Sequence, residues 1–243
     1  MKIMLKKLNM KPLFMSVMAM WVFSFFLVPP ALAIPVLDFG VFAPASGTIS
    51  YAGGIAPLVG SGISVNNVVG LGTPSIDGIT AACVNCVLTF TTGSLVSSDT
   101  NSWNFGGGSL SSISIVGGIE LDGGGIGGGD IALGTILLSG NFQNATVLNL
   151  GGTFQIAGAS FMDMKDPSLL AYYGLPNVQY GGNFNLSFNA NALPPSSFTS
   201  TTIYSGDITN QQVPEPTSLM LLGTRLLGLG ILGRKRFNQQ FTH

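Results

Sequence analysis

Histidine is almost missing from this chain: one residue in 243, and that one is His243. No Ser-His-Asp or Cys-His arrangement, and no histidine-ligated zinc or haem site, can therefore form in the residues before it. Charge is nearly as scarce, at 8% of residues. Between Ile34 and Val213 the only basic residue is Lys165, against nine acids: Asp38, Asp77, Asp99, Glu120, Asp122, Asp130, Asp163, Asp166 and Asp207. That body carries about −8 (1 − 9), which repels phosphate backbones and excludes nucleic acid as a partner. Lysine and glutamate, the usual surface residues of helices, are too few for a helical domain. Long apolar runs are missing from the body and occur only at the two ends.

Those ends are where eight of the nine basic residues lie. Lys2, Lys6, Lys7 and Lys11 precede an apolar stretch from Leu13 to Val28, and Ala31-Leu32-Ala33 follows with small residues at the positions a signal peptidase reads. Residues 1–33 are expected to be a signal peptide, delivered through the Sec translocon and cut after Ala33. An uncleaved N-terminal anchor is the alternative. At the other end Pro214-Glu215-Pro216 is followed by an apolar run, 217–233, and then by Arg234-Lys235-Arg236. As a helix rising about 1.5 Å per residue, that run just reaches across a thin bilayer core. The basic cluster would stay cytoplasmic. Arg225 lies near mid-span, where a charge costs about 2.5–3.5 kcal/mol on the insertion scale, so the anchor is weak or the side chain snorkels. Both ends then face the cytoplasm and the middle lies outside.

The triplet, span and basic stop over 214–237 resemble the PEP-CTERM sorting tail of Gram-negative bacteria. The resemblance implies recognition of Pro214, Glu215, Pro216, Arg234, Lys235 and Arg236 by an exosortase-type membrane protease. It also implies an inner-membrane stage before processing, then a place at the cell surface or in the extracellular matrix. The accompanying setting would be exopolysaccharide and biofilm production.

The body holds 30 of the 34 glycines beside many Ser, Thr and Asn. Glycine costs about 1 kcal/mol per helical position relative to alanine, and it suits tight turns between short strands. Alternating windows recur: Asn183 to Asn189, Ser112 to Ile115, Val87 to Thr91, Ile131 to Leu138 broken at Gly134, and Thr146 to Ile156 broken at Gly151-Gly152. The expectation is all-β: a single glycine-rich antiparallel sandwich or barrel-like domain over 34–195. One short helix belongs to it, capped by Asp166, opened by Pro167 and ended by Gly174. Residues 196–213, polar and rich in Ser and Thr, read as a tether to the membrane, a last strand being the alternative. No repeat of fixed period appears, which disfavours a solenoid.

Cys83-Val84-Asn85-Cys86 has the C-x-x-C spacing, but no helix follows it; in an oxidising compartment the pair is expected to form a local structural disulfide tying a turn. The loop from Asp122 to Asp130 is rich in glycine and bounded by aspartates, so Asp122 and Asp130 are the candidate calcium ligands. It does not match the G-G-x-G-x-D nonapeptide and occurs once, so a plain hairpin loop between two strands is the simpler expectation. Glycosidases need two facing carboxyl groups, for which Glu120 with Asp122 and Asp163 with Asp166 are the close pairs. Tyr51, Trp103, Tyr172, Tyr173 and Tyr180 could stack on sugars, although core packing explains each of them better. The expectation is a non-enzymatic, cofactor-free surface or matrix protein. Its alternatives are a carboxylate-dependent glycan hydrolase and a calcium-dependent adhesion module.

Overall fold

The computed structural model describes residues 34–213, together with 223. Alternation dictates the strands. In β9 (Tyr180–Asn189), Tyr180, Phe184, Leu186 and Phe188 turn inward while the asparagines between them face out. The same two-residue period runs through β1 (Val36–Val41), β5 (Ser102–Gly106), β6 (Ser112–Glu120) and β8 (Thr153–Lys165). Completing the set are β2 (Thr48–Tyr51), β3 (Pro57–Leu71), β4 (Thr80–Asp99), β7 (Ile131–Asn149), β10 (Phe198–Thr199) and β11 (Thr202–Gln212). The fold is all-β, one large antiparallel sheet with one short helix among the described residues.

The pairings return to their starting point. β1 pairs with β3, β3 with β4, β4 with β6, β6 with β7, β7 with β8, β8 with β9, β9 with β11, and β11 again with β1. Every step is antiparallel, so the sheet closes on itself and removes its edges along that ring. Farther along β4 and β7, β5 takes the place of β6 between them. β2 pairs with the first part of β3 and carries β10.

Three expectations change. The strands are longer than tight-turn glycine spacing suggested: β4 has 20 residues and β7 has 19. Gly134 does not break its strand. It sits at φ 79°, where β7 shifts register against β6, so it makes a bulge within β7. Residues 196–213 are not a tether: they contain β10 and β11, and β11 lies between β1 and β9 in the closed ring. Their polar residues mislead because only alternate positions of a barrel strand face the core. Ile203, Ile208 and Asn210 point inward and the hydroxyls between them face out. Gly151-Gly152 does turn the chain, between β7 and β8.

Aromatic rings fill the interior. Tyr51, Trp103, Phe39, Phe90, Phe105, Phe142, Phe154, Phe161, Phe184 and Phe188 are all fully buried. Some glycines serve this packing rather than turns. Gly60 lies opposite Phe90 and Gly182 opposite Phe161, and at each a Cβ would overlap the partner's ring. The helix, α1 (Pro167–Tyr173), forms as the sequence indicates. Asp166 accepts from the Ser168 and Leu169 N–H groups at 2.8 and 3.1 Å, and Gly174 ends it at φ 70°. Among the described residues no helix is long and apolar enough to cross a membrane. The expected signal peptide 1–33, Arg225, the expected span 217–233 apart from residue 223, and the expected sorting residues Pro214, Glu215, Pro216, Arg234, Lys235 and Arg236 lie outside the described residues.

Candidate functional site

Carboxylates gather in the β6–β7 hairpin. Glu120 ends β6, Asp130 precedes β7, and Asp122 begins the glycine loop between them, so antiparallel pairing brings the two ends of the loop side by side. Oxygens of Glu120, Asp122 and Asp130 lie within 4.8 Å of one another. Much of the arrangement is structural. Asp130 Oδ1 accepts from the Leu121 N–H and its Oδ2 from the Gly127 N–H, each at 2.7 Å. Asp122 Oδ1 accepts from the Gly124 N–H at 2.9 Å, closing an Asx turn. Glu120 Oε1 is buried without a hydrogen-bond partner. Asp122 and Asp130 thus come together as the sequence suggests, and Glu120 joins them because it is the β6 residue nearest the turn.

The second carboxylate pair separates. Asp163 faces inward from β8 and is buried, whereas Asp166 caps α1. They do not face one cleft: a strand side chain and a helix cap three residues later point to different surroundings. Asp163 instead pairs with Lys165, the lone lysine of the body, and both side chains are 0% exposed. Lys165 Nζ donates to Asp163 Oδ2 and lies 4.6 Å from the centroid of the Tyr180 ring, a cation–π contact. Asp163 Oδ1 has no partner. Burial pulls the Lys165 amine down to about 8 against the attraction of Asp163, and burial pushes the Asp163 carboxyl above its usual range despite Lys165. Sequence reasoning assigned neither residue to the interior. The signal was there: Phe161, Asp163 and Lys165 share one parity along β8, with the inward aromatic at its head.

A further carboxylate neighbourhood joins residues remote in sequence. Asp38 of β1 sits beside β11, one step diagonal from Asp207, because Gly40 pairs with Asp207 and Asp38 with Thr209. Partial burial first, then Asp207, raises the Asp38 carboxyl above its usual range. No sequence signal could have found this neighbourhood, since strand order alone creates it.

Core packing, the better of the two readings of the aromatics, holds for most of them. Tyr51, Trp103, Tyr173 and Tyr180 lie in the core, and only Tyr172 is partly exposed, packed edge-to-face on Tyr173. Inward parity on strands that close into a barrel buries Tyr51, Trp103 and Tyr180, while Tyr173, the last residue of α1, lies over Gly70 of β3 and donates its hydroxyl to the Val68 carbonyl at 3.2 Å. At one rim the surface is mixed, polar and apolar. Asn191 and Ser197 line two adjoining shallow depressions, shared with Asn149 and Ser196 on one side and with Ser50 and Thr199 on the other.

Cys83 and Cys86 are joined to each other. They lie within β4, and they span a register shift opposite β6 where Asn85 adopts φ 53°. The bond therefore clasps a bulge instead of a turn between elements. Gly117 faces it on β6, where a Cβ would stand 2.5 Å from Cys86 Sγ.

Comparison with family models, with curated proteins and with solved structures finds no match.

Proposed function

We propose that this chain is an exported surface or extracellular-matrix protein handled by an exosortase-type protease, with a non-enzymatic scaffold or adhesive role beside exopolysaccharide. One observation carries the reading: Pro214-Glu215-Pro216, an apolar span and Arg234-Lys235-Arg236 stand in that order after the last strand. A span with a basic stop alone implies only an anchor. The triplet adds the resemblance to a sorting tail. The scaffold role draws on a core packed with rings, which leaves the outer surface and the rim for contact. At the rim, the Asn191 amide and the Ser196 and Ser197 hydroxyls offer donors and acceptors suited to sugar hydroxyls.

Replacing the three motif residues with alanine should leave the protein membrane-retained and unprocessed. If the variant is released and cut like the parent, the sorting reading fails and a plain anchor remains. The scaffold role is tested by binding and turnover assays of the exported protein against the host's exopolysaccharide. Binding without cleavage is expected, and cleavage would favour a glycan hydrolase.

The convergence of Glu120, Asp122 and Asp130 favours a second reading, a calcium-supported adhesion module. Two oxygens on opposite sides of a Ca²⁺ at about 2.4 Å each stand about 4.8 Å apart, which suits this cluster. Calcium at a hundred times its dissociation constant would then stabilise the fold by about 2.7 kcal/mol. Asp122→Asn should abolish that gain, and a parent insensitive to millimolar calcium removes this reading.

A further inference from the structure

Lysine is almost never fully buried unless paired, and Lys165 has a single anionic partner, Asp163, whose second oxygen is itself unsatisfied. Both side chains project inward from alternate residues of β8, and the Tyr180 ring of the adjacent strand covers the amine. On the other flank, Gly140 of β7 stands opposite Asp163, and even a Cβ there would meet Asp163 Cβ at 2.7 Å. Packing thus holds an amine against a carboxyl group, in one geometry, away from water. These are the conditions under which a slow bimolecular reaction becomes a fast intramolecular one, with effective concentrations of about 10⁵–10⁸ M for well-oriented groups.

We propose that Lys165 and Asp163 condense, after folding, into a side-chain amide that staples the end of β8. The Nζ lone pair attacks Asp163 Cγ and the N–C bond forms. The bond from Cγ to Oδ2, the oxygen that accepts the Nζ proton, breaks. Oδ2 leaves as water with two of the three ammonium hydrogens, and the third stays on the amide nitrogen. No oxidant, metal or cofactor is consumed.

The surroundings favour each stage. Attack needs a neutral amine, and desolvation already biases Lys165 toward that form and Asp163 toward the protonated acid, a better electrophile than a carboxylate. Exclusion of water disfavours the reverse hydrolysis. Two buried charges are exchanged for one neutral amide, whose carbonyl oxygen is the former Asp163 Oδ1, and this relieves the desolvation cost of a buried ion pair. The linkage lies immediately before Asp166, so it would hold the strand end from which α1 is launched.

The test is the intact mass of the purified, folded full chain or its natural processed form, read after disulfide reduction. A deficit of one water relative to the sequence is expected, with fragmentation placing it in a branched peptide that joins 163 to 165. Lys165→Met should restore the full mass of the variant, and mass is readable whether or not that variant folds. A parent at full sequence mass overturns the proposal. So does a deficit that persists in Lys165→Met, which would point to dehydration elsewhere, such as at Asp122-Gly123.

Discussion

Phe198→Ala probes whether 196–213 is part of the fold. Phe198 sits on the two-residue strand β10, is 5% exposed, and meets four rings: Trp103 at 5.1 Å, Phe154 at 5.4 Å, and Tyr51 and Phe188 at 5.8 Å each. Truncating a buried phenylalanine to alanine costs about 3–5 kcal/mol through lost transfer energy and the cavity left behind. Each aromatic pair adds about 0.5–1.5 kcal/mol beyond area, but four pairs sharing one ring do not sum. A short outer strand can also relax into the space, so about 3 kcal/mol is the working value. For a chain of this size that lowers Tm by about 6–12 °C. Urea unfolding followed by tryptophan fluorescence is a suitable assay, because Trp103 lies against the substituted ring. The midpoint should fall with an unchanged slope. A loss below about 0.5 kcal/mol, the range of ordinary surface substitutions, would mean that Phe198 is not packed and that the segment is a tether after all.

Asp166→Ala removes the acceptor of two α1 amides and should cost about 1 kcal/mol, read as a shifted denaturation midpoint; Asp166→Asn should lose much less. Burial raises both Tyr173 and Tyr180, the latter to about 12, so folded phenols stay protonated after unfolded ones ionise near 10. Their contribution is complete below pH 10 and is lost as pH rises toward 12 and above. Tyr173→Phe should flatten that alkaline decline in thermal unfolding, and an unchanged profile would contradict the burial effect. Replacing Cys83 and Cys86 together by serine should cost about 2 kcal/mol or less, because the bond closes so short a loop, and should leave export intact. A larger loss, or a measurable oxidoreductase activity lost with it, would refute a purely local structural role.

The sequence alone determined what depends on neighbours along the chain. The helix at Asp166, Pro167 and Gly174 was legible because capping acts over one turn. The faces of β9 were legible because alternation is a property of a single strand. The hairpin uniting Asp122 with Asp130 followed from two strands flanking one glycine loop. The proposed sorting tail, too, rests only on the order of its residues. Tertiary structure decided everything set by strand order and closure. It turned the polar segment 202–212 into a central strand, since half of a barrel strand faces solvent and a polar average conceals its inward half. It buried Tyr51, Trp103 and Tyr180, because whether an inward face meets water or another face depends on the sheet closing over it, and it buried Tyr173 by laying α1 against β3. It set Asp38 beside Asp207 across almost the whole body. And it enclosed the lone lysine with Asp163, whose shared parity was visible in the sequence but whose face became interior only when β9 and β7 packed on either side.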